Sequence, residues 1–237
     1  MATTQTSAAF RAVVVHHCER ALDGRAFFRA LSAGPASAAL MKYAFLQYRF
    51  FRDQLHRWFG LCIIKAPSCR DSRHKAAIMA LADHIFTDLR DAHEEMYDRF
   101  LRDLQISDAD TARERPSRAT ARYIRSYLEE FDLDTGDFVV ALAALAGREL
   151  CVSLRNQRLI ARYFVPREIE TPTWIGLHSH LELDHFQDAI RPVLAAHPDE
   201  SPTFAAARSS VERAINRHVR LFDDLLGEFE ATCARQA

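Results

Sequence analysis

From Ser72 to Gln105 the chain runs without a glycine or a proline, and apolar residues at Ile78, Leu81, Ile85, Leu89, Met96, Phe100 and Leu104 recur along one helical face. A stretch of that length and period fits an amphipathic helix and is far too long for a strand. The whole chain is punctuated the same way. Its 7 glycines and 8 prolines in 237 residues are too few for the many turns of a β-rich fold. Helical segments are expected from "GPAS" at 34–37 to about Lys65, closed by "KAPSCRDS", then over 72–105, about 117–131 and about 137–163. "SDADTARERPS" and "DLDTGD" read as breaks. In "TPTW", Thr171 reads as an N-cap with Pro172 at the first helical position, opening a helix that Pro192 kinks or ends. "SPTF" at 201–204 repeats that logic and starts a last helix with the stripe Phe204, Val211, Ile215, Phe222, Leu225 and Phe229. No segment alternates as a strand does. The expectation is an all-α chain, a bundle of about seven helices forming one domain over residues 1–237.

Net charge is −1 and the sequence pI is near 6.8, so nothing draws the chain towards nucleic acid or acidic lipid. Five cysteines, Cys18, Cys62, Cys69, Cys151 and Cys233, are odd in number and lack CxxC spacing, which argues against a disulfide framework or a zinc knuckle. The apolar run near the N-terminus is short and broken by His16 and His17, unlike a signal peptide, and no membrane-length apolar run occurs. A cytoplasmic protein with no nucleic-acid or membrane partner is expected, and a homodimer is compatible with this reading.

The chemistry concentrates in "LHSHLELDHF", residues 177–186. On a helix, His178, Glu182 and His185 are spaced by four and then three residues and project to one side. The competing stripe of His180 and Asp184 continues into Gln187 and offers two good ligands. Roughly 0.07 occurrences of His-x3-acid-x2-His per chain are expected by chance at this composition. The alternative for this stretch is a solvated helix face. Two further segments offer matching groups. Glu149 lies in the apolar run "VVALAALAGRELCVSL", either as a buried carboxylate needing a partner or at a helix edge, escaping to water beside Arg148. "ADHIFTDLRDAHEEMYDRFL" places His84, Asp88 and His93 near one face, either as ligands or as part of a charged outer surface. The five-residue step from Asp88 to His93 requires a local π-type bulge.

These motifs resemble the heme-oxygenase-like diiron oxidases and oxygenases, relatives of thiaminase II and of the pyrroloquinoline-quinone biosynthesis oxidase. The resemblance covers roughly residues 26–190. It rests on an acid and a histidine in "HIFTDLRDAHEEMYDRFL", a lone glutamate in "AGREL", the final His-x3-Glu-x2-His, and the early stretch "FFRALSAGPASAALMKYAFLQYRFFRDQL", which is similar to the family's substrate-side helices. The chain departs from the pattern in using Asp88 where the family usually has the longer Glu, and in a shorter gap to His93.

The resemblance implies a heme-oxygenase-like bundle with six metal ligands: Asp88, His93, Glu149, His178, Glu182 and His185. It implies two Fe(II) ions, O2 as co-substrate and an external electron donor. The implied reaction is oxygenation of a small amine or amino-acid-derived substrate, first of all N-oxygenation in a biosynthetic pathway. Oxidative carbon–carbon cleavage, desaturation or self-sacrificing tyrosine chemistry are its alternatives. Tyr43, Tyr48 and Tyr97 lie in the segments nearest the expected site and are the candidate pocket residues. Arg122 and Arg125 offer a bidentate hold on a carboxylate, or form a solvated face. A ferritin-like arrangement would require two Glu-x2-His motifs, and only Glu182 to His185 qualifies, with Asp53 to His56 as an aspartate variant. A cysteine hydrolase of the same fold and a helical interaction module without catalysis remain as alternatives.

Overall fold

A computed structural model describes residues 2–32, 36–131, 137–194 and 201–236. All regular structure among them is helical. In chain order the α-helices are α1 (Ala2–Leu22), α2 (Ala26–Ser32), α3 (Ser37–Arg52), α4 (Leu55–Lys65), α5 (Ser72–Arg90), α6 (His93–Asp103), α7 (Asp108–Arg113), α8 (Arg118–Glu130), α9 (Phe138–Leu159), α10 (Thr173–Leu177), α11 (Leu181–Leu194) and α12 (Pro202–Gln236). A π-helical turn, Ile160–Phe164, and a 3-10 turn, Val165–Arg167, continue α9.

Three stretches expected as single helices are broken, α7 forms inside an expected break and α2 stands apart from α1, so about seven becomes twelve α-helices among the described residues. The segment ending at Lys65 breaks at Asp53 and Gln54, the 72–105 segment at Asp91 and Ala92, and the last-motif helix at residues 178–180. The polar break at 107–117 itself holds α7, because Ser107 and Asp110 form a reciprocal capping box. Ser117 caps α8 and Asp137 caps α9, each accepting a backbone N–H two or three residues on. Ser201 accepts from the N–H of Phe204 at 3.1 Å, with Pro202 opening α12 as its sequence suggests. For α10 the cap moves one residue: Pro172 is the N-cap and Thr173 the first helical residue. α11 runs through Pro192 to Leu194. Residues 34 and 35 of "GPAS" and 132–136 of "DLDTGD" lie outside the described residues.

The centre of the fold is α9. Its sequence is apolar nearly all round, which suits a helix covered on every side. It packs most extensively on α12 and next on α11, and α11 also packs on α5. Gly147 sets the distance to α12: a Cβ there would lie 2.8 Å from the carbonyl oxygen of Val211. The closeness of these helices brings the polar residues of α5, α9 and α11 together inside the bundle. Among the described residues, no helix is long and apolar enough to cross a membrane.

Candidate metal centre

Seven side chains from five elements converge beside α9. From α5 come His84 and Asp88, one turn apart on the face that buries Ala77 and Leu81. His93 opens α6. The step between Asp88 and His93 is not the expected π bulge: α5 ends, and Ala92 adopts φ 54°, ψ 44°, the left-handed conformation, before α6 begins. That break turns the chain and returns His93 to Asp88, with Nδ1 2.7 Å from Oδ1. His178 caps the C-terminus of the short α10, and Glu182 and His185 follow in the first turns of α11. The intervening turn stays tight, and α9 fixes it: Ser153 Oγ and Gln157 Nε2 donate to the carbonyl of Ser179 at 2.6 and 2.8 Å. The three residues therefore meet without sharing one helix.

Two carboxylates, Asp88 and Glu182, each reach two histidines. Asp88 faces His93 and, at 3.6 Å, His84 Nε2. Glu182 faces His185 Nδ1 at 3.2 Å and His178 Nε2 at 3.8 Å. The imidazoles pair accordingly, His84 with His185 at 4.1 Å between ring centres and His93 with His178 at 5.1 Å. Glu149 completes the His84 and His185 side: one ligand atom from each of these three lies within 4.8 Å of the others. The result is two adjacent ligand sets, with Asp88 and Glu182 between them.

Electrostatics match this geometry. Burial would raise the Asp88 carboxyl, but hydrogen bonds from His84 and His93 outweigh it and hold it well below the usual range. Burial opposes ionisation of Glu182 too, and the His185 hydrogen bond with the charges of His178 and Arg148 brings it down to about 2. Burial drives His178 down to about 4, against the pull of Glu182. His178 Nδ1 lies 2.8 Å from the carbonyl of Trp174, which can only accept, so Nδ1 carries the proton and Nε2 presents a free lone pair to the site. His185 moves the other way: burial lowers it, but its hydrogen bond to Glu182 wins and raises it.

Glu149 supplies the test of whether a cation fits. The residue is 2% exposed, which resolves the choice between a buried and an edge position, and Arg148 beside it is equally buried. The two form an ion pair, yet neither carboxylate oxygen of Glu149 receives a well-oriented hydrogen bond. A buried carboxylate left this way is costly, and a cation held with His84 and His185 would satisfy it. Nitrogen and oxygen donors in these numbers, without thiolates, suit iron or manganese better than a structural zinc.

All six expected residues converge. His84 is a seventh: its segment offers it beside Asp88 and His93 on one face, but the six ligands implied by the resemblance leave it out. Its signal was present: His84-x3-Asp88 repeats the spacing of His178-x3-Glu182. His180 and Asp184 face solvent. Of the three candidate tyrosines, Tyr48 is buried against the cluster and lines a cavity with it. Tyr97 is buried nearby, its hydroxyl donating to the Phe45 carbonyl at 2.7 Å. Tyr43 is a correction: among the described residues its hydroxyl turns to Glu228 on α12, 3.2 Å away, and it is absent from the three cavities lined by Tyr48, Arg52, Phe59 and the ligands. Arg122 is likewise drawn outwards, to Asp224 at 3.2 Å, and Arg125 is exposed.

Solved structures share the fold. A domain of unknown function with a heme oxygenase-like fold from Shewanella denitrificans superposes with a TM-score of 0.75 at 15% identity, covering 94% of this chain and 93% of that one. A TenA homologue from Pyrococcus furiosus gives 0.65 at 14% identity, over 91% and 99%. A CADD-like protein of unknown function from Nostoc punctiforme gives 0.64 at 18%, over 93% and 98%. No curated protein matches the sequence. The architecture is thus that of the all-helical heme-oxygenase-like proteins. Within that class, the sequence profile of the family described as "iron-containing redox enzyme" matches residues 42–217, and the chain belongs to this family.

Proposed function

We propose that the protein is a non-heme diiron, O2-dependent oxygenase or oxidase acting on a small amine or amino-acid-derived substrate. The observation that carries this reading is the pair of adjacent ligand sets sharing Asp88 and Glu182. His93 and His178 would hold one iron, and His84, Glu149 and His185 the other, with both shared carboxylates reaching each. Two ferrous ions supply the electrons and the open positions that O2 needs. The chain's own residues do the rest. The Trp174 carbonyl fixes the ring of His178, and burial keeps that histidine neutral and ready to bind. Three carboxylates neutralise most of the metal charge. Phe59 stacks on His84 at 4.3 Å and Trp174 lies 4.8 Å from His178, shielding both ends of the cluster from water.

N-oxygenation is the first reaction to assay, with oxidative cleavage or desaturation as other outcomes of the same site. A hydrolase using a cysteine nucleophile has less support, since no cysteine lines the three cavities around the cluster. The test is to load the protein with Fe(II) without oxygen, admit air, and follow the visible spectrum and oxygen consumption with candidate amines. A transient band and substrate-dependent consumption are expected. Absence of iron uptake and of any band would contradict the proposal.

A further inference from the structure

Among the described residues, the three cavities that touch the cluster differ in size and in what stands at their ends. The one beside His84 and His185 has a volume of about 80 Å³, against about 30 and 10 Å³ for the others. It runs between α5 and α9, with Glu149 and His185 at its inner end and Ala80, Asp83 and Thr87 of α5 at its outer end. Asp83 is exposed, whereas Glu149 is 2% exposed, so the cavity leads from water to a buried ligand.

Charge separates the cavities more sharply than size. Arg52 lines both smaller ones, and Arg148 lines the smallest as well. No described lysine or arginine lines the 80 Å³ cavity, and a carboxylate stands at each of its ends. Neither oxygen of Glu149 has a hydrogen-bond donor, and its ion-pair partner Arg148 belongs to the other cavity. At the mouth, Arg90, whose charge interacts with Asp83 along α5, is bound by Asp91 at 2.6 Å, which leaves Asp83 facing water.

A divalent cation that approaches past a guanidinium is repelled, whereas one that approaches past Asp83 is attracted, and Glu149 draws it further in. The volume is far below the roughly 300–1,000 Å³ of pockets that enclose an organic ligand. It exceeds the roughly 10–15 Å³ that one water needs, so an ion can pass with part of its water shell. Dioxygen is uncharged and gains nothing from two carboxylates.

We infer that this cavity is the entry port for the metal ions, and that Asp83 is the residue that draws divalent cations to its mouth. This rests on the reading of the cluster as a metal centre and adds the route by which that centre fills. Asp83 holds no ion in the loaded site: it raises the rate of loading and leaves the final metal content unchanged.

The test is stopped-flow mixing of metal-free protein with Co(II), whose visible absorption changes when imidazole and carboxylate bind it, with metal analysis of the same proteins after anaerobic Fe(II) loading. The natural chain is compared with Asp83→Asn, Asp83→Lys and Glu94→Gln. Glu94 is an exposed acid on the wall of the 30 Å³ cavity, so its variant controls for the loss of one negative charge near the cluster. At low salt, Asp83→Asn should slow loading by about threefold or more and Asp83→Lys by about tenfold or more, with Glu94→Gln within about twofold of the natural chain. High salt should narrow these differences. All four proteins should hold the same final amount of metal. Three outcomes overturn the proposal: Asp83→Lys loading at the natural rate, Glu94→Gln slowing loading as much as Asp83→Asn, or Asp83→Asn lowering the final content, which would make Asp83 a ligand. A natural chain that takes up neither metal defeats the reading of the cluster itself, whereas full metal at unchanged rates defeats only the port.

Discussion

Each ligand is set by a specific contact, and His84 is the residue on which sequence and structure differ most. With His84 counted, the cluster has four imidazoles and three carboxylates, and the His84 side is as complete as the His178 side. His84→Ala is therefore expected to halve iron uptake, leaving the His93 and His178 position filled. Metal analysis after anaerobic loading checks this, and full uptake would count against His84 as a ligand. His178 gives a pH signature in metal-free protein. Its value falls from 6.5 to about 4 on folding, so the unfolded chain takes up the proton first. Stability from this residue is present above pH 6.5 and is lost as pH falls towards 4, by on the order of 3 kcal/mol. His218, pushed down by burial, adds to the same slope, whereas His185, raised in the fold, opposes it. His178→Gln should flatten the decline in denaturant stability between pH 6.5 and 4.5, above the window in which Glu182 begins to lose its own contribution. An unchanged slope would show that His178 is not held neutral by burial.

The elements were less legible than the ligands. Spacing alone brought His178, Glu182 and His185 together, because a near-helical turn keeps the directions of a helix even where α10 and α11 part. The breaks themselves were hidden. Those at Asp53 and Gln54, at Asp91 and Ala92, and at residues 178–180 contain neither glycine nor proline, so local composition does not announce them. Tertiary packing makes them. Ala92 carries the clearest mark, a positive φ that a side chain adopts at a cost of roughly 1–2 kcal/mol. Ala92→Gly should raise the melting temperature or leave it unchanged, whereas Ala92→Val should lower it and weaken iron binding through His93. A stabilising valine would contradict the left-handed turn. At the crossing of α9 and α12, Gly147→Ala places a methyl against the Val211 backbone and should destabilise by about 1–3 kcal/mol, read by thermal or denaturant melting. No loss would mean that the helices are further apart than described.

For the whole molecule, class was the most legible property: scarce glycine and proline, long apolar periods and no alternation lead to an all-helical bundle, and the family match agrees. The interior was not legible to the same degree. Arg155 and His218 are buried, and nothing in their local sequence separates them from surface residues, whereas Arg148 and Glu149, also buried, lie in an apolar run that pointed to a buried carboxylate. Arg155 is held by Asn156 Oδ1 at 2.8 Å, by His218 Nε2 at 3.1 Å and by the Tyr48 ring at 4.8 Å, a cation sealed in aromatic surroundings. A bundle that encloses this much charge beside its ligands is organised around the site as much as around an apolar core. The central claim is that the site holds two metal ions sharing Asp88 and Glu182. Anomalous diffraction at the iron edge from crystals of anaerobically loaded protein measures it directly. Two peaks are predicted, one against His93 and His178 and one against His84, Glu149 and His185, with both shared carboxylates touching each. A single peak, or peaks away from these residues, would contradict the account.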